Sequence, residues 1–378
     1  MNKYLRVLNY AASILMLAAF SLSVPAAYAA QERPLNAFFL TAFPRDYTGL
    51  ERLFMTLKDS GADSVIIGPA RPQALPDLDL LPNMVYIVHQ LGLKIFIVMP
   101  VRDIPGLLDE HPDWTDMRYD PESGTIQPEA VLNLFNPDVM NYLVAVFKEV
   151  ASYSVDGIFL STDFYYGETE GMTRAALDEY KQRYNSALVM GRAISRVGKT
   201  ESGEVVLEYG DGFREWAEMK RDRLADAVKQ ISAACRGANS SLILGIPLHA
   251  EGLSSPMDNL MKFSYDLNSF RNAGADMFWL AVSHRDIRAS LGLNHKKTME
   301  MLVRTAGTAA NAVRDEARSV VVLQTSFGGK VLPFSEIEEA DSLVKKAGHV
   351  NTAYMVSPET LPPSVLTKKL FRTGTRPD

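Results

Sequence analysis

Eight short apolar runs, each followed by a stretch of helical periodicity, constrain this chain more than any other feature. The runs are Asn36–Phe43, Ser64–Gly68, Lys94–Val101, Gly157–Ser161, Leu242–Pro247, Asp276–Val282, Ser319–Ser326 and Thr352–Ser357. They are rich in Val, Ile, Leu and Phe without clean alternation, the mark of strands buried on both faces. Between them the spacing predicts helices at Thr48–Ser60, Pro82–Leu91, Asp138–Tyr153, Thr173–Tyr184, Phe213–Ala234, Asp258–Ala273, Lys296–Ala317 and Glu336–Ala347. Gly61 follows the first helix as a C-terminal glycine should, and Pro82 sits in the first turn of the second. Eight alternations predict an α/β fold of the closed (β/α)8 type, a TIM barrel, rather than a doubly wound sheet. No G-x-G-x-x-G follows the first strand, so a dinucleotide site is not expected.

Two connections exceed ordinary loop length. The first, Asp103 to Pro137, leaves the third strand and should lie over the face where barrels carry their chemistry. The second, about Gly191 to Gly212, reads as a hairpin turning at Ser202-Gly203, with its position open.

Ahead of the first strand, Lys3 and Arg6 precede an apolar run from about Ala11 to Val24, and Ala27-Tyr28-Ala29 offers an A-x-A cleavage pattern. Residues 1–29 are expected to be a secretory signal peptide, cut after Ala29, with 30–378 forming one domain in the periplasm or outside the cell. The apolar run is short for a span, so no membrane segment is expected after cleavage. Cys235 is the only cysteine, which excludes an intrachain disulfide. A net charge of -6 argues against a nucleic-acid surface.

Several chemistries have no signature. The six histidines include no H-x-x-x-H pair, and neither a G-x-S-x-G elbow nor a P-loop occurs. No metal or organic cofactor is expected. Gly328-Gly329 reads as a plain turn. What remains is a set of carboxylates and aromatic residues just past the strands. The fourth run ends in Asp163, Tyr165, Tyr166, Glu168 and Glu170; Arg102 and Asp103 follow the third; His249 and Glu251 follow the fifth; His284, Arg285 and Asp286 follow the sixth. Paired carboxyls with flat rings nearby suit glycosidic cleavage, one acid protonated and one ionised, with rings against the sugar faces. Asp163 and Glu168 are the candidate catalytic pair. Trp114, Tyr165, Tyr166, Trp279, His284 and Arg102 are candidates for binding substrate. Taken singly, each has a plainer reading: Trp279 could be core, Glu170 a solvated acid before a helix, and His249 and His284 structural.

The order of several short motifs adds to this. Met99-Pro100-Val101 ends the third strand, Leu134-Phe135-Asn136-Pro137-Asp138-Val139 opens a helix, and Val155-Asp156-Gly157-Ile158-Phe159-Leu160-Ser161-Thr162-Asp163 follows. Trp216 and Lys220, Met277–Ala281, Leu323-Gln324-Thr325 and Asn351–Tyr354 continue the series. Together these resemble the C-terminal hydrolase domain of the PgaB family, periplasmic proteins that process poly-β-1,6-N-acetylglucosamine. More distantly, the fourth strand and His111–Trp114 are similar to family-10-like glycosyl hydrolases. The resemblance implies a polysaccharide substrate, an export machinery as possible partner, and Asp163 as principal carboxylate. That family's deacetylase domain is not expected here, since the signal leads directly into the barrel. The chain departs from the family's H-D-D with Ser161-Thr162-Asp163, from its acidic segment with Glu168-Thr169-Glu170, and elsewhere with Val322 and Ala281-Val282-Ser283. Loss of one paired acid leaves a second expectation open, a barrel that binds polysaccharide without turnover.

Overall fold

The computed structural model describes residues 35–68, 75–199, 205–314, 318–349 and 351–357. The expected signal peptide and the Ser202-Gly203 turn lie outside the described residues.

The chain order is β1 (Asn36–Leu40), α1 (Tyr47–Asp59), β2 (Ser64–Ile67), α2 (Leu81–Gln90), β3 (Lys94–Met99) and α3 (Pro105–Glu110). Next come β4 (Thr115–Asp120), β5 (Thr125–Leu132), α4 (Pro137–Ser152), β6 (Gly157–Leu160), α5 (Arg174–Tyr184), α6 (Met190–Ala193), β7 (Ile194–Lys199) and β8 (Val205–Tyr209). The chain continues with α7 (Phe213–Ala238), β9 (Ile243–Pro247), α8 (Pro256–Phe263), α9 (Leu267–Ala273), β10 (Met277–Val282), α10 (His284–Leu291) and α11 (His295–Val313). It ends with β11 (Ser319–Gln324), β12 (Ser326–Phe327), β13 (Lys330–Val331), α12 (Phe334–Lys346) and β14 (Asn351–Val356).

Eight of these strands close a barrel in the order β1, β14, β11, β10, β9, β6, β3, β2, each hydrogen-bonded in parallel to its neighbours. These are the eight apolar runs of the sequence, and the (β/α)8 expectation holds. Alternate residues point inward: Ala37, Phe39, Ile66, Phe96, Val98, Phe159, Met277, Trp279, Val320, Val322 and Ala353 fill the interior. The other faces pack against the helices in a larger core that includes Leu50, Phe54, Leu143, Phe147, Trp216 and Ile231. Two glycines make the interior possible. A Cβ on Gly157 would lie 2.6 Å from the Phe96 ring and 2.7 Å from the Ile243 carbonyl, and one on Gly245 would lie 2.4 Å from the Phe159 ring.

The departures from the sequence reading have local causes. The single helix expected over Asp258–Ala273 is two, because Ser264 takes a left-handed conformation (φ 54°) and Asp266 then caps a new start. His284–Asp286, expected as strand-end loop, form the first turn of the added helix α10. Gly328 and Gly329 (φ 56° and 74°) make the plain turn expected, between β12 and β13.

Both long connections hold antiparallel hairpins, β4–β5 and β7–β8. The position of the second follows from the length of α7. Its 26 residues span about 39 Å, roughly twice a barrel strand. Since α7 must end where β9 begins, its first turns overshoot the sheet on the side of the strand C-termini. The β7–β8 hairpin therefore stands on the same face as β4–β5.

Replacing Gly245 with valine should force the Phe159 ring from its site and destabilise the fold by about 1–3 kcal/mol or more. Urea denaturation of the two proteins measures it.

Candidate active site

The loop from Ser161 to Thr173 leaves β6 at the C-terminal end of the barrel, between the hairpins. Leu160 ends the strand, and its carbonyl accepts the indole N–H of Trp279 at 2.9 Å. Trp279 is 3% exposed and packs near Phe39 and Phe159, with ring centroids 6.1 and 6.4 Å away. It therefore seals the barrel interior and does not offer a face to a sugar. Ala281, two residues on and on the same side of β10, is exposed, so the barrel mouth opens one layer above this indole.

Asp163 binds the turn that follows β3. Its Oδ2 accepts the backbone N–H groups of Val101 (2.8 Å), Arg102 (2.7 Å) and Asp103 (2.8 Å). Its Oδ1 is buried and meets no hydrogen-bond partner among the described residues. Burial pushes the carboxyl above the ordinary aspartate range, outweighing the three amides and the nearby Arg102 that favour the anion. The result is an acid at a barrel strand end, fixed through one oxygen, with the other uncommitted.

Arg102, expected to bind substrate, is 1% exposed and fully engaged inside the protein. Its guanidinium donates to Asp116 Oδ2 (2.7 Å), Glu170 Oε2 (2.6 Å), and the carbonyls of Tyr165 and Leu132. It also lies over the Tyr166 ring, 4.0 Å from the centroid. Burial alone would raise Glu170, but Arg102 holds it below the usual glutamate range. Burial dominates at Asp116, which is pushed up to about 6 against the pull of Arg102.

The aromatic expectations divide. Trp114 is 7% exposed and stacks on His111 at 4.0 Å, with Tyr142 at 5.6 Å on another side. Tyr166 is buried, and its hydroxyl accepts the N–H of Leu134 at 3.1 Å. With Trp279 these two are packing residues, since a ring already covered by protein has no face to lend. Tyr165 alone of the four keeps an exposed part, its ring edge-on to His249 (4.9 Å) and Phe263 (5.7 Å). Burial pushes His249 down to about 4, so its ring is neutral, and it stacks on Phe263 at 4.7 Å. His284 is buried too. It meets Glu336 at 3.0 Å, which also accepts from Arg285, so the trio fastens α10 to α12 and does not face the mouth.

Glu168 is half-buried and accepts a hydrogen bond from the Tyr209 hydroxyl, which brings the end of the β7–β8 hairpin onto the loop. Burial and this glutamate both push the Tyr209 phenol up. Asp116, Tyr209 and the role of Lys220 were not legible as site features. A signal existed for Lys220: it falls on the apolar stripe Trp216, Ala217, Leu224, Ala227 and Val228, where a cation needs a buried partner. No group of three or more acidic, histidine or cysteine side chains among the described residues is placed to hold a metal ion.

A family model described as glycosyl hydrolase-like 10 matches residues 69–266, which takes in β3, both hairpins and the Asp163 loop. The chain belongs to the glycosyl hydrolase-like 10 family. No curated protein matches it in sequence. Among solved structures it is similar to α-L-fucosidase isoenzyme 2 from Paenibacillus thiaminolyticus, at 14% identity and a TM-score of 0.57 over 90% of this chain and 49% of that one. A β-galactosidase from the haloarchaeon Halorubrum lacusprofundi aligns at 10% identity and a TM-score of 0.62, over 90% and 58% of the two chains. The β-galactosidase of Rahnella sp. R3 gives 11% and 0.60, over 92% and 56%. This glycosyl hydrolase-like 10 chain thus spans about half the length of these structures, and at such identities the likeness is one of fold.

Replacing Arg102 with methionine would leave Asp116 and Glu170 buried beside one another without their shared cation. A loss of about 3–5 kcal/mol in unfolding free energy is expected, measured by urea denaturation at pH 7.

Proposed function

We propose that this barrel cleaves glycosidic bonds in an amino-sugar exopolysaccharide of the poly-β-1,6-N-acetylglucosamine type, in the periplasm or outside the cell. Asp163 is the acid and Glu168 its partner. One observation carries the reading: a half-buried aspartate at the end of a barrel strand, raised in pKa, whose Oδ1 is covered and meets no partner among the described residues. Protonated, Asp163 Oδ1 is a donor with no acceptor among the described residues, and it gives its proton to the leaving glycosidic oxygen once substrate displaces the side chains that cover it. Glu168, oriented by Tyr209, then stabilises the positive charge that develops on the sugar ring. On an N-acetylated substrate the acetamide can serve as the nucleophile, so that a single protein acid suffices for bond breaking. This accommodates Thr162, exposed next to Asp163 where the resembling family carries a second aspartate.

A second reading has its own support. Arg102, Asp116 and Glu170 are consumed in mutual pairing, and three of the four rings lie in the core. A barrel that holds the polymer for an export machinery needs no free second acid.

Incubation with the polymer and its partly de-N-acetylated form, with detection of new reducing ends, separates the two. Asp163→Asn should lower cleavage of either form by about 100-fold or more, and Glu168→Gln by a similar factor at de-N-acetylated units, where no acetamide can take over. Because Asp163 acts protonated, wild-type cleavage should fall on the alkaline side of its raised pKa. Cleavage that survives in Asp163→Asn removes this residue from the role. Retention of polymer on immobilised wild type without any new reducing end supports the binder instead.

Export is tested separately. N-terminal sequencing of the protein recovered from a secreting host should begin at Ala30.

A further inference from the structure

The β6 loop is held by a side chain that never reaches the barrel mouth. Lys220, in the second turn of α7, is completely buried. Its Nζ donates to the carbonyl of Gly167 at 2.6 Å and lies 3.5 Å from those of Glu168 and Glu170. The loop is moulded around the aliphatic stem as well. Gly171 sits at φ 84°, where a Cβ would come within 3.2 Å of Lys220 Cδ and 3.3 Å of the Trp216 ring. With the carbonyls turned toward Lys220, the two glutamates reach elsewhere, Glu168 to Tyr209 and Glu170 to Arg102.

We infer that Lys220 is the positioning residue of this site, holding the main chain of residues 167–170 from inside α7 so that Glu168 is presented at the barrel mouth. The role of Glu168 rests on the hydrolase reading above; the hold on the loop does not.

The surroundings of Lys220 give the hold a signature. Glu168 and Glu170 of the loop, Asp116 of β4 and Arg102 after β3 are the charged groups that face it. Burial pushes Lys220 down to about 7, against the attraction of Glu170 and Asp116. Opening the loop would return Lys220 to water and to its ordinary value of 10.5. Between these values the open form binds more protons than the closed one, so closure is favoured as pH rises. Loop protection should therefore increase with pH above about 7, by up to about tenfold per unit, and level off above the lysine range. Asp116, at about 6, titrates below this window.

Hydrogen exchange of the whole chain, followed by mass spectrometry and corrected for intrinsic amide rates, reads this directly. Peptides covering 165–172 are compared with those from β3 and β9 between pH 6.5 and 9. Wild type should show protection of the loop rising with pH while the barrel strands stay level. Lys220→Met should lower loop protection at pH 9 by at least about tenfold and abolish the slope, since Met can neither donate nor titrate. Lys220→Arg should keep the loop protected without the slope, because guanidinium does not titrate in this range. Loop protection in Lys220→Met equal to wild type overturns the inference. Should Lys220→Met fail to fold, Lys220→Gln, whose shorter side chain cannot reach the Gly167 carbonyl as Nζ does, takes its place, and loop protection in it equal to wild type overturns the inference. Cleavage assays report on the other reading: inactive wild type with a Lys220-dependent loop removes the hydrolase and leaves the hold standing. If wild type cleaves, Lys220→Met should lower kcat at least about tenfold with little change in KM, as expected for misplacing a group used in the transition state.

Discussion

The upper face of this barrel is organised by one buried cation. A guanidinium taken out of water must find partners for its charge and its N–H groups, or the fold loses several kcal/mol. Arg102 finds them in Asp116 on β4, Glu170 in the β6 loop, and the carbonyls of Leu132 and Tyr165. Two of these partners lie on the β4–β5 hairpin and two in the β6 loop. Satisfying Arg102 therefore draws the β4–β5 hairpin and the β6 loop together over the end of β3.

Asp163 and Lys220 extend the same logic in opposite directions. Asp163 gathers three backbone amides of the turn that carries Arg102, so the turn and the next strand end are set in relation to each other. Lys220 does for carbonyls what Asp163 does for amides, receiving the main chain of residues 167–170 from below. Arg102 and Lys220 share one desolvated volume with Asp116 and Glu170. Asp163 Oδ1 stands outside that set with no partner among the described residues, which distinguishes it from Asp116 and Glu170.

Much of the fold was legible because a closed parallel barrel imposes a pattern that local sequence can carry. Strands covered on both faces must be apolar throughout, and the eight runs obey this. The misses were of another kind. A helix broken at Ser264 looks continuous in periodicity, since Asp258–Ala273 keeps its apolar spacing through the break. In the sequence Trp279, Trp114 and Tyr166 look like sugar platforms, because an aromatic residue near a strand end has the same composition whether it faces cleft or core. Arg102 looks like a ligand-binding cation for the same reason.

The sequence by itself determined the barrel, the existence of two insertions with the first over the C-terminal ends of the strands, and the placing of an acid, Asp163, just beyond the fourth barrel strand. Periodicity and chain order suffice for these, because they depend on which residues must leave water and in what succession. Only the tertiary structure decided which charges were already spent. Pairing of Arg102 with Asp116 and Glu170 spans 14 and 68 residues of chain, and Lys220 meets the loop from 50 to 53 residues away. No local pattern encodes such distances; they are set by the closure of the barrel, which brings distant segments into one volume without water.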